Sequence, residues 1–165
     1  MLRGGTGILP VNEEPGKKRV ELAAGAGRPR YASARERTVG YDVEFIQVPD
    51  AAGAQLPASG KDADALIKKA SPLKDAAGIR THLLTLEGSR PGPGESIDYM
   101  GKGLNYARLK VEAKAVEVEN NCGAAELLKI YRHLLTGLPG LLIHDLQSGQ
   151  VHDADSFAAW WSRPL

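Results

Sequence analysis

The sequence predicts an α+β domain: a ferredoxin-like split β-α-β-β-α-β sandwich with its helices on one face of a largely antiparallel sheet, extended near its C-terminus by a hairpin strand and a terminal helix. Three stretches carry that expectation. Residues 104–111 and 114–119 read as paired strands. Val116 and Val118 share one side, and Glu117 and Glu119 take the other, as a sheet with one wet face requires. Residues 124–135 follow Asn120-Asn121-Cys122-Gly123 and bring Leu127, Leu128, Tyr131, Leu134 and Leu135 to one helical face. Residues 141–143, Leu-Leu-Ile, then return as an apolar strand after the helix stop Gly137-Leu138-Pro139.

Size and composition fit one such domain. The 165 residues, 42% hydrophobic and 25% charged, match an ordinary globular chain that buries a core without cross-links. The single cysteine excludes an intramolecular disulfide, so a reducing cytoplasm is the expected compartment. No apolar run reaches the length of a membrane span, and the first residues lack the apolar core of a secretory signal. The net charge of +1 is uneven. Residues 1–38 hold eight Lys/Arg against four Glu, leaving 13 basic and 16 acidic groups in 39–165. The folded part is therefore mildly acidic and a poor generic binder of nucleic acid.

Residues 1–38 show no apolar periodicity and are broken by Gly and Pro, so they read as a disordered basic tail before a single domain at 39–165. That tail is either solvated or an arm for acidic surfaces, including nucleic acid. Its segment Gly5-Thr6-Gly7-Ile8-Leu9-Pro10-Val11 resembles the translated product of short intergenic repeats in some bacteria. The resemblance implies a misassigned start, with the natural chain beginning near Val39.

The first strand is 41–48, with Tyr41, Val43 and Phe45 on one face. Ser59 and Asp62 open a helix whose apolar side is Ala63, Leu66, Ile67 and Ala70. Ser71-Pro72 restarts helix as N-cap and first helical residue, with Leu73, Ala76, Ala77, Arg80 and Leu84 on one side; residues 79–86 are alternatively a strand. Residues 88–94 are a Gly/Pro loop. Residues 141–145 and 150–152 form a hairpin with Gly149 in the left-handed position. Asp153 or Asp155 caps a last helix anchored by Phe157, Trp160 and Trp161. No internal repeat is evident.

Four groups of residues offer chemistry. Cys122 opens a helix, where unpaired N–H groups favour thiolate; the alternative is a small packed residue beneath an Asn cap. Asn121-Cys122 at a helix start resembles papain-like cysteine hydrolases. The resemblance implies a nucleophile at Cys122 with His144 or His152 as its base. His144-Asp145 and His152-Asp153 repeat across the hairpin, which suits a metal if they converge, whereas strand alternation sends neighbours to opposite faces. Asp42, Glu44, Glu117 and Glu119 form an acidic strip if the first strand lies beside 114–119. Such a strip is a solvated face, a docking surface for a basic partner or a carboxylate pair for acid–base work. Of Trp160 and Trp161 one reads as a core anchor and the other as a surface residue, and Trp161 is a candidate binding anchor. His82 and His133 read as isolated, exposed helix residues. Met100-Gly101-Lys102-Gly103 matches neither the phosphate-binding loop nor the dinucleotide fingerprint, so no cofactor is expected.

The expected function is a small cytoplasmic binding module without catalysis, taking a protein partner as a bacterial immunity or regulatory factor does. The alternatives are a cysteine hydrolase or transferase at Cys122 and a metal-dependent enzyme at the His-Asp hairpin.

Overall fold

The computed structural model describes residues 41–163. The readings of 1–38, including the basic arm and the displaced start, and the boundary at 38/39 lie outside the described residues.

The described residues form a mixed α+β fold of four helices and one seven-stranded antiparallel sheet. In order the elements are β1 (Tyr41–Gln47), a 3-10 turn (Ala51–Gly53), α1 (Gly60–Lys68), α2 (Ala76–Leu84), β2 (Ser89–Pro91), β3 (Ile97–Met100), β4 (Tyr106–Val111), β5 (Ala115–Asn120), α3 (Ala124–Leu135), β6 (Leu141–Asp145), β7 (Gln150–His152) and α4 (Ala154–Trp161). The sheet order is β2-β3-β4-β5-β1-β6-β7. That order is not the one of a four-stranded ferredoxin-like sheet. Four strands read from the sequence lie side by side as β4-β5-β1-β6, but the hairpin β2–β3 widens one edge and β7 the other. Strand β3 is only four residues long and β2 begins one residue after Gly88, so neither offered a period long enough to read.

Alternation along the strands makes two different faces. Tyr41, Val43 and Phe45 of β1, Val116 and Val118 of β5, Leu109 of β4, Ile97 and Tyr99 of β3 and Ile143 of β6 point to one side. There α2, α3 and α4 pack on them, burying Ile79, Leu83, Leu127, Ile130, Leu134 and Phe157 in one core. Helix α3 has the bounds and the buried stripe read from its sequence, except that Ile130 is buried and Leu135 is more exposed. Asp153 caps α4 in a reciprocal capping box with Ser156. Gly149 takes φ 68° in the β6–β7 turn, a conformation a Cβ would oppose.

Two expectations are corrected. The helices do not all lie on one side. Ala58 bridges to Val151 on the outer strand β7, and α1 then packs Ala63, Leu66 and Ile67 against Ile46, Ala115, Leu142 and Val151, all on the opposite face. Nor does Ser71-Pro72 restart a helix. Ser71 and Leu73 instead donate backbone bonds to the carbonyls of Gln47 and Ala113, which fixes that segment as extended chain. Helix α2 begins only after Asp75, whose carboxylate accepts from the Gly78 N–H, and its buried residues are Ile79 and Leu83.

Candidate functional site

Helix α1 covers one end of the second face. The other end, across β2, β3, β4, β5 and β1, carries no helix. Its side chains form two cross-strand rows. The first runs Arg90, Asp98, Arg108, Glu119, Asp42, each directly opposite the next. The second runs Lys110, Glu117, Glu44, His144. The register thus brings all four carboxylates of the acidic strip together, Asp42 facing Glu119 and Glu44 facing Glu117. Directly opposed side chains have Cβ atoms about 5 Å apart, and like charges there destabilise a sheet.

The basic side chains on the face reach only part of that charge. Lys110 Nζ is 3.8 Å from Glu119, and His144 Nδ1 is 3.1 Å from Glu44. Among the described residues, no cation lies within ion-pair distance of Asp42 or Glu117. Arg108 turns the other way. Its Nε donates to Asp98 Oδ1 at 2.9 Å, and Tyr106 donates its hydroxyl to the same oxygen at 2.9 Å. Asp98 is 8% exposed, and the Arg108 hydrogen bond holds its carboxyl below the usual range against the cost of burial. Asp98 is therefore a buried anchor that fixes Arg108, not part of the exposed acidic charge.

The Cys122 arrangement is not assembled. Cys122 is 3% exposed in the core under α3. Burial, with the Glu126 carboxylate nearby, pushes its thiol up to about 12, the reverse of what a nucleophile needs. The two N–H groups just before the helix are already bonded: Asn120 accepts from the Cys122 N–H and Asn105 from the Gly123 N–H. His144 is on the open face. His152 is buried on the helix side against Phe157 and Trp160. It also stands on β7, three strands from β5 and so about 14 Å across the sheet.

The His-Asp hairpin behaves as alternation requires. His144 pairs with Val151 and His152 with Ile143, so the two rings point to opposite faces. Asp145 is buried and accepts from the Gln147 N–H and the Ser148 hydroxyl, and Asp153 serves the α4 cap. Among the described residues, no group of three or more His, Cys, Asp or Glu side chains is placed to hold a metal. Trp161 is half-buried, its ring edge-on to Tyr41 at 4.9 Å, which makes it part of the α4 docking contact.

His82 and His133 are not isolated. Their rings stack at 4.3 Å and 9° between the C-terminal turns of α2 and α3. Each Nε2 bonds the other histidine's backbone carbonyl at 2.8 Å, and Thr85 and Thr136 repeat one another's role beside them. The signal was in the sequence: His-Leu-Leu-Thr occurs at 82–85 and again at 133–136. Next to this clamp a cavity of about 720 Å³ opens between the end of β1, the start of α2 and the α3–β6 loop. Of its polar lining, Gln47 is bonded to the Pro139 carbonyl, Asp75 to the α2 backbone and His82 to His133. Lys74 is left as its available charge.

No protein-family model matches the chain, and neither a curated protein nor a solved structure shows a significant match to it.

Proposed function

We propose that the protein is a binding module without catalysis, which takes a protein partner on the open face of its sheet. We read its centre, β4-β5-β1-β6 with α2 and α3 on one side, as a ferredoxin-like core widened at both edges. Such an architecture leaves one sheet face for recognition, whichever partner occupies it. One observation carries the functional reading: Asp42 against Glu119 and Glu44 against Glu117, opposed like charges on an uncovered surface. A sheet gains nothing from such pairs, and local rules are broken where function requires it. A basic segment laid across β5 and β1 relieves that repulsion and supplies the missing counter-charges.

The test is a titration of isotope-labelled protein at low salt with a soluble lysine-rich peptide. Saturable shifts confined to the open-face residues of β1, β4 and β5 are expected. Glu117→Lys with Glu119→Lys is expected to remove them while changing Tm little, because both side chains are exposed and the repulsion relieved against Asp42 and Glu44 offsets that introduced against Arg108 and Lys110. Shifts that survive the double reversal, or that map to the cavity beside α2, reject this surface.

A further inference from the structure

The open face carries two stripes of opposite sign, and the boundary between them runs along the strands. On one side stand Arg90 of β2 and Arg108 and Lys110 of β4. On the other stand Glu117 and Glu119 of β5 and Asp42 and Glu44 of β1. The acidic group between the arginines, Asp98, is buried and spent on Arg108 and Tyr106. Because Asp98 binds Arg108 through Nε, the terminal amino groups of that guanidinium remain available to a carboxylate.

We propose that this face pairs with the same face of a second copy of the chain. The inference rests on the reading that the open face is the working surface, and it names the partner. A two-fold axis parallel to the strands, set between β4 and β5, exchanges the stripes. It lays Arg108 and Lys110 of one copy over Glu119 and Glu117 of the other, and does so twice, as an isologous contact requires. A partner with only basic charge would satisfy the β5–β1 stripe and be repelled by the β2–β4 stripe. A second copy matches the two strands beside the axis, setting the cations of β4 against the carboxylates of β5 in both directions. Met100, 46% exposed beside Tyr106 on the same face, adds an apolar contact at one end. The five strands span about 20 Å, and strands of six residues run about 20 Å. The face therefore projects about 400 Å², below the ~800 Å² per partner of a standard interface. The dimer is accordingly weak, held by charge and sensitive to salt.

The experiment is sedimentation of the full chain at low salt, up to about 100 µM, and again at about 1 M salt. Wild type is expected to move from monomer toward dimer with concentration at low salt and to return to monomer at high salt. Lys110→Glu, and separately Glu117→Lys, change exposed positions only and leave the Asp98–Arg108 anchor intact. Each variant is expected to associate about tenfold or more weakly than wild type. An equimolar mixture of the two is expected to associate one to one, because the swapped charges then face one another while Arg108 still faces Glu119. Wild type that stays monomeric at low salt overturns the proposal. So does self-association that survives either reversal, or a mixture that fails to pair. If wild type is monomeric while the lysine-rich peptide still shifts β1 and β5, self-pairing fails and the binding reading stands. If neither occurs, both fail.

Discussion

Cys122 sits between the end of β5 and the start of α3, a position whose electrostatics depend on whether water reaches it. At an open helix start the thiol would be activated. Here Asn120 and Asn105 take the N–H groups of Cys122 and Gly123, and the thiol turns into the core. Desolvation then dominates, and the thiol rises from 9.0 to about 12. In the unfolded chain the same thiol ionises near its ordinary value, so the folded form holds its proton more tightly. The stability this group contributes is complete below about pH 9 and is lost as pH rises toward about 12. Alkylation of the folded protein at neutral pH is expected to be slower than in denaturant, with no thiolate phase below pH 9. A modification rate that titrates near pH 7 would contradict the burial described above. Cys122→Ser is expected to cost about 1–2 kcal/mol in a urea melt, since it buries a hydroxyl in an apolar site. The type and position of this residue were legible in the sequence. Its orientation was not, because one residue after a strand does not say which way the chain turns.

At the scale of elements, the two longer core helices are joined by a reciprocal clamp rather than by apolar packing alone. Removing either ring takes away the stack and that ring's own bond across the helices, so the two histidines are coupled through the stack they share. His82→Ala and His133→Ala are each expected to destabilise by about 1–2 kcal/mol, and the double variant by less than their sum, because the shared stack is lost only once. Denaturant melts of the four proteins give that coupling, and additive losses would mean that the rings stabilise their helices separately. The clamp shows where sequence reading stopped. Helix α3 was legible because twelve residues of clean period 3.6 leave no competing pattern. Helix α2 was blurred by Gly78 and by an apolar stripe reduced to Ile79 and Leu83. His-Leu-Leu-Thr was visible twice, but four residues are too short to register as a repeat. Only the packing of α2 on α3 gives the pair its meaning. The acidic strip was legible for the opposite reason: it needed only alternation along β1 and β5 and the adjacency of those strands, which the register supplies.

For the whole molecule, the question is whether one core or several hold the sheet. Both tryptophans of the chain lie on α4, which follows the outer strand β7. Their rings nevertheless reach Tyr41 at the start of the central strand β1, at 6.2 Å for Trp160 and 4.9 Å for Trp161. Phe157 belongs to the same buried cluster as Leu109 of β4 and Leu127 of α3. A helix tied into the centre of the core cannot leave without exposing it. Tryptophan fluorescence, which reports α4, and far-ultraviolet dichroism, which reports all the elements, are therefore expected to give coincident denaturant transitions. The small second cluster beneath α1 shares β1, β5 and β6 with the first through their opposite faces, so it is expected to melt in the same step. A fluorescence midpoint well below the dichroism midpoint would show α4 undocking as a separate unit. Tyr41 would then not be the link between the terminal helix and the sheet, and the two faces would have to be treated as independently stable layers.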